Sequence, residues 1–210
     1  VGAKAAGLEP GDFLRLRSVT DVQVSPDGSR IAYVVERNDG PGRPAGQVHV
    51  LTVADGQTVR FGGERDASSS PLWSPDGRWI AFDGVVEGKE GLAIARPDGS
   101  GARFLAEMRG TSTPLPGRGR NVAWSPDGTQ IAFVSAVPGP ETAEAEGDPM
   151  VITRYLYKPE YDEGLTRFGD NRRLHIFAVT LADGVVRPLT TGVHQDHSID
   201  WSPDGGEILC

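Results

Sequence analysis

The sequence predicts an all-β protein, a β-propeller of four-stranded antiparallel blades with about three and a half blades present and the ring incomplete. Three observations predict it. The tetrapeptide Ser-Pro-Asp-Gly recurs four times, at Ser25, Ser74, Ser125 and Ser202, with strand-like flanks that recur with it. After each of the first three copies, a second apolar run leads through an Asp-Gly pair into a further short run. The chain also holds 28 Gly and 16 Pro among 210 residues, nearly twice the usual share, which argues against a helical bundle.

The elements follow in order. Residues 1–17 read as a helical lead-in, with a short helix begun by Pro10, whose fixed φ and missing N–H suit a first helical position. The first blade, about 18–62, places Ser25-Pro26-Asp27-Gly28 before Ile31-Ala32-Tyr33-Val34, then runs Val48 to Thr52, Asp55-Gly56, and Thr58 to Phe61. The second, 70–106, repeats the plan with Trp73, the tetrapeptide from Ser74, Ile80-Ala81-Phe82, Leu92 to Ala95, Asp98-Gly99, and Ala102 to Leu105. The third, 120–190, has Trp124, the tetrapeptide from Ser125, Ile131 to Val134, Leu174 to Leu181, Asp183-Gly184, and Val185 to Leu189. The fourth, 197–210, stops after Trp201, its tetrapeptide and Ile208-Leu209-Cys210.

Each tetrapeptide reads as a tight hairpin turn. Pro presets φ, Asp bonds the local backbone, and Gly supplies the left-handed residue that returns the chain to a strand. Asp27, Gly28, Asp76, Gly77, Asp127, Gly128, Asp204 and Gly205 are therefore assigned to turn structure. Calcium ligation by the four Asp residues is disfavoured, because each sits alone in its turn without the dense oxygen spacing a calcium loop needs.

The departures from the repeat point to function. From the Ser of each tetrapeptide to the Asp of the later Asp-Gly pair the separations are 30, 24 and 58, which place an insertion of 28 to 34 residues within 136–173, between the second and third strands of the third blade. The second blade gains 8 residues before its successor, around 106–120. In an up-and-down blade both lengthened connections fall on the face opposite the tight turns, and long loops on a rigid scaffold are where binding is placed. The insertion opens with Glu141, Glu144, Glu146 and Asp148, read as a solvated loop in preference to an acidic rim for a peptide amine. Val151 to Lys158 then alternates as a strand or extended hairpin, and packing onto its own blade is preferred for Tyr155, Tyr157, Tyr161 and Phe168 over an aromatic contact surface.

Charge and composition exclude several classes. With 21 basic against 29 acidic residues there is no basic face for nucleic acid, Arg118-Gly119-Arg120 being the nearest feature. No run approaches the ~18 apolar residues that cross a bilayer, so no membrane association is expected. The single cysteine, Cys210, fits a reducing cytoplasm. No nucleophile elbow is present; Gly110-Thr111-Ser112-Thr113-Pro114 lacks its second Gly. His194-Gln195-Asp196-His197-Ser198 holds the letters of a triad without its geometry, and His194 with His197 lacks a third ligand at metal-site spacing. No catalytic residue, cofactor or metal is expected in this chain.

The sequence resembles the N-terminal propeller of the prolyl oligopeptidase family of serine peptidases, most closely its acylaminoacyl-peptidase branch. Three stretches carry the resemblance: Glu9 to Leu16 running into Val22 to Gly28; Thr153 to Lys158 together with Arg172 to Val179; and Leu189 to Gly192 leading into His197 to Gly205. The tetrapeptides alone are equally similar to TolB-type interaction propellers; the insertion favours the peptidase. The resemblance implies a propeller that covers an α/β-hydrolase domain bearing a Ser-Asp-His triad and admits short or N-acylated peptides. It makes Arg154, Tyr155, Tyr157, Arg172 and Arg173 candidate contacts to substrate or to that domain. Expected partners are thus a peptide substrate and a C-terminal hydrolase domain, with homo-oligomerisation left open. A ring of seven or eight blades needs roughly 350 to 400 residues, so the chain is expected to be a fragment or one piece of a cleaved protein.

Overall fold

The computed structural model describes residues 7, 9–40, 44–63, 66–113, 119–140, 146, 152–155 and 168–210. Two compact units are present, Val1–Phe104 and Leu105–Cys210. In the first, α1 (Pro10–Phe13) starts at Pro10 and is closed by a capping box between Glu9 and Asp12. One sheet, in order, comprises β1 (Arg17–Val24), β2 (Arg30–Arg37), β3 (Ala45–Thr52) and β4 (Thr58–Arg60). The next comprises β5 (Ser68–Trp73), β6 (Ile80–Val86), β7 (Lys89–Ala95) and β8 (Arg103–Ala106), the division between units falling inside β8. Apolar residues of the two sheets form one core: Val34, Val48 and Val50 meet Phe61, Trp73, Ile80 and Phe82. Phe61 and Phe82 pack edge to face at 5.3 Å.

The second unit contains β9 (Val122–Trp124), β10 (Gln130–Pro138), β11 (Ile152–Tyr155), β12 (Phe168–Asp170), β13 (Arg172–Thr180), β14 (Val186–Pro188), β15 (Asp200–Trp201) and β16 (Ile208–Leu209). Its four-stranded sheet runs β14-β13-β10-β9, while β11 with β12 and β15 with β16 form separate pairs. Val134, Ala136, Leu174, Ile176 and Ile199 make its core, against which Trp201 and Ile208 pack. The β10–β13 ladder continues through Ala136↔Leu174, Val137↔Arg173 and Pro138↔Arg172, three pairs further than the 136–173 insertion bounds suggest. It ends at Gly139, where the two chains come so close that a Cβ would lie 2.3 Å from the Asn171 carbonyl oxygen. All three four-stranded sheets are antiparallel and none closes on itself, the blade architecture of a propeller.

The four tetrapeptides repeat one hydrogen-bond pattern. The Ser hydroxyl donates to the Asp carboxylate at 2.6 to 2.7 Å and accepts the N–H of the residue five positions on, at 2.9 to 3.0 Å. The Gly N–H donates to the Ser carbonyl at 2.8 to 2.9 Å, with Gly φ between 68° and 72°. The preceding Trp joins neighbouring sheets within each unit. Trp73 Nε1 donates to the Gln23 carbonyl at 3.2 Å, and Trp201 Nε1 to the Ala123 carbonyl at 3.1 Å. Four residues before three of the tetrapeptides a non-glycine residue adopts left-handed φ: Asp21 at 49°, Ser70 at 54°, Ser198 at 64°. In β1 and β5 this residue lies in a break of register, so the bulge is part of the repeat.

Candidate functional site

Antiparallel pairing sends the tetrapeptide and Asp-Gly turns to one end of each sheet and the remaining connections to the other. In the second sheet the connection between β6 and β7 is a two-residue turn, Glu87-Gly88, both with positive φ (54° and 74°), as in a type I′ hairpin. In the third sheet the equivalent connection spans residues 139–171 and contains β11 and β12.

At that end of the second unit, Asp170, 3 % exposed, organises the preceding loop. Its carboxylate accepts from the Thr111 hydroxyl, the Ser112 N–H at 2.6 Å and the Thr113 hydroxyl at 2.9 Å. Burial pushes the Asp170 carboxyl up, but these donors outweigh it and hold the group below the ordinary 3.8. Arg109 completes the seam: its N–H donates to the Ser135 hydroxyl at 2.9 Å, and its carbonyl accepts the Ala136 N–H at 2.8 Å.

The outer edge of β13 is finished by side chains. β14 pairs only with Phe177 to Val179. Beyond it the Ile176 N–H donates to the Thr190 hydroxyl at 2.9 Å. The Gln195 amide then stands in for a strand residue, accepting the Leu174 N–H at 2.6 Å and donating to the Arg172 carbonyl at 2.9 Å. His175, 4 % exposed, meets the Asp196 carboxylate through Nδ1 at 3.1 Å. Burial raises Asp196, and hydrogen bonds from Thr190 and His175 bring it below 3.8. The sequence reading missed this role for Gln195 and Asp196; the available signal was the shortness of the run after Asp183-Gly184 beside the length of the run before it.

The candidate contact residues are placed as follows. Arg172 and Arg173 are the first two residues of β13, and Arg173 Nε donates to the Val193 carbonyl at 3.1 Å. Arg154 and Tyr155 lie on β11, their backbones opposite Gly169 and Phe168. Tyr157, Tyr161, Glu141, Glu144 and Asp148 lie outside the described residues, and Glu146 is an exposed turn residue. The Asp residues of the tetrapeptides are at the other end of the sheets, satisfied within their own turns.

The connection end of the first unit holds a cleft of about 280 Å³ lined by Asp21, Glu36, Asp83 and Glu90, with no basic residue among its walls. Burial, then the neighbouring Glu90, pushes the Asp83 carboxyl up from 3.8. Such a cleft attracts cations. Its acidic residues come from β1, β2, β6 and β7, so no contiguous charge run announced it.

His197 Nδ1 and the Ser198 hydroxyl are 2.8 Å apart, and Ser198 has left-handed φ. That conformation recurs at Asp21 and Ser70 and belongs to the repeat, while Asp196 is engaged by His175, so no nucleophile-base-acid relay is assembled here. Among the described residues no group of three His, Cys, Asp or Glu side chains could hold a metal ion. No helix among them is long and apolar enough to cross a membrane.

No protein-family model matches the chain. It is 30 % identical over 204 residues to the uncharacterized peptidase YuxL of Bacillus subtilis, covering 92 % of this chain and 29 % of that protein. It is 32 % identical over 115 residues to a TolB homolog of Chlorobium luteolum, covering 54 % of this chain and 23 % of that one. The acylaminoacyl peptidase of Pyrococcus horikoshii superposes with a TM-score of 0.58 at 16 % identity, over 83 % of this chain and 25 % of that one, a likeness of fold. The chain thus spans less than a third of the length of each.

Proposed function

We propose, from the premise that this chain is the propeller portion of a prolyl oligopeptidase-family protein, that it serves as gate and substrate filter for a serine peptidase acting on short or N-acylated peptides. The observation that carries the reading is the match to a peptidase along 92 % of the chain. In this reading the chemistry belongs to an α/β-hydrolase domain outside these 210 residues, and the propeller contributes a rigid frame whose connection end meets substrate or that domain. Arg154, Tyr155, Tyr157, Arg172 and Arg173 are the proposed contacts, carried on the longest connection of the third sheet and on the start of β13. The acidic cleft of the first unit adds a surface able to attract a protonated peptide amine. The acylaminoacyl-peptidase branch is proposed on the stretches that resemble it, and a cytoplasmic setting on Cys210 as sole cysteine.

A fluorophosphonate probe tests the assignment. It is expected to label the intact protein on a serine outside these residues and to leave the isolated 210 residues unlabelled. Labelling within the 210 residues overturns the reading. A second reading, a non-enzymatic interaction propeller, is supported by the TolB homolog match, which covers only 54 % of the chain. It requires that the intact protein react with no such probe.

A further inference from the structure

The chain contains nine Asp-Gly dipeptides. Asp83-Gly84 lies inside β6, its backbone held extended by pairing to β5 and β7. The other eight, at Asp27, Asp39, Asp55, Asp76, Asp98, Asp127, Asp183 and Asp204, lie in turns or loops, and the fold treats them unequally. In each of the four tetrapeptides the carboxylate takes a Ser hydroxyl at 2.6 to 2.7 Å as well as the N–H two residues on, at 3.0 to 3.1 Å. Ser29 and Thr129 add second hydroxyls to Asp27 and Asp127. Asp98 is bonded by the Ser100 side chain and N–H, and Asp39 by Arg17 Nη2 at 2.7 Å. Among the described residues, Asp55 and Asp183 accept one bond each, from the N–H of Gln57 and of Val185, both at 3.0 Å. Both dipeptides are exposed, and both Gly residues hold φ of 71°.

We propose that Asp55-Gly56 and Asp183-Gly184 are sites of spontaneous isoaspartate formation, and that the hydroxyl donors of the tetrapeptides protect the other repeat turns from the same reaction. The glycine amide nitrogen attacks Cγ of the preceding neutral carboxyl group. A C–N bond forms, a C–O bond breaks, and the amide proton leaves with the carboxyl hydroxyl as water. Water then adds to the α-carbonyl of the resulting succinimide and opens it to the β-linked isomer, so the net change is an isomerisation that needs no other reagent. Attack requires a carboxyl group that can take up a proton and rotate over the glycine nitrogen. A hydroxyl that donates to the carboxylate opposes both. In keeping with this, the Ser25 hydroxyl and then the Ser29 N–H hold Asp27 down to about 2.

The affected turns join β3 to β4 and β13 to β14, whose outer strands are three residues long and exposed. An extra backbone methylene there shifts the pairing of an edge strand that has little burial to oppose it.

The test is to age the full chain in ¹⁸O water at neutral pH, with a parallel sample in denaturant, and to map isoaspartate by electron-transfer fragmentation. In the folded chain, isoaspartate at residues 55 and 183 is expected to exceed that at 27, 76, 127 and 204 by roughly tenfold or more, the factor that one hydroxyl hydrogen bond to a charged group can withhold. In denaturant all nine dipeptides are expected to react at comparable rates. Equal rates in the folded chain, or the same ranking in denaturant, overturn the proposal. Ser125→Ala should raise the rate at Asp127 toward that at Asp183; an unchanged rate in a folded variant also overturns it.

Discussion

The two ends of each sheet are built by different means. At the turn end each tetrapeptide finds its hydroxyl, carboxylate and Gly N–H partners within five residues, and the four reproduce the same bonds. At the connection end the partners are far apart in sequence: Asp170 with Thr111 to Thr113, Gln195 with Arg172 and Leu174, and Gln47 with the carbonyls of Gly63 and Asp66. The buried Gln47, 2 % exposed, ties the loop between β4 and β5 to β3, while Gln195 finishes the edge of β13, each in its own unit. Periodic local bonds make identical turns, whereas long-range bonds allow each connection to differ. That freedom is why variation, and with it the proposed recognition, is concentrated at one end.

Substitutions separate the two modes. Asp170→Ala strands several half-buried donors at once and is expected to cost about 3 kcal/mol, read as a lower guanidinium midpoint. Its loop should also become open to protease within 107–113. If limited proteolysis leaves that loop intact, Asp170 is not what holds it.

Gln195→Ala frees backbone groups on the edge of β13, and Gln47→Ala leaves the loop carbonyls of Gly63 and Asp66 without their donor; each should cost about 2 kcal/mol. Hydrogen exchange distinguishes them. Gln195→Ala exposes the Leu174 amide, whereas Gln47→Ala, which loses only bonds to carbonyls, leaves the Val48 amide held by Ser68. Fast exchange at Val48 in Gln47→Ala would break the parallel.

A turn variant such as Ser125→Ala is expected to cost less, about 1 kcal/mol, because its partners stay close to water. A cost equal to that of Asp170→Ala would erase the contrast between the ends.

The smallest effect is in acid. The Ser25 hydroxyl and Ser29 N–H hold Asp27 at about 2. At Asp76 slight burial opposes the shift, but bonds from Ser74 and Arg78 prevail and also bring it to about 2. Between about pH 4 and about pH 2 the unfolded chain binds more protons at these positions than the folded one. Their contribution is therefore complete above the unfolded value of 3.8 and is lost as pH falls through about 2. Carboxyl ¹³C titration should show this for both residues, and Ser25→Ala should return Asp27 toward 3.8 without moving Asp76.

The all-β fold, the tight turns and the longest connection were legible in the residues because each is written locally. Ser, Pro, Asp and Gly at consecutive positions meet the steric and hydrogen-bonding needs of one turn, and the repeat interval exposes whatever is inserted. Three features were not legible. Glu87-Gly88 makes a hairpin turn without the Asn or Asp usual there. The acidic cleft draws its carboxylates from four strands whose neighbourhood only pairing creates. Gln195 reads as a loop residue until β14 proves too short to cover β13, leaving an edge whose buried N–H and carbonyl groups must be met by something. The sequence by itself thus determined the blade, because a turn's requirements lie within five residues. The tertiary structure alone decided the connection end, because the obligation to satisfy a buried strand edge or carboxylate does not specify which distant residue will meet it.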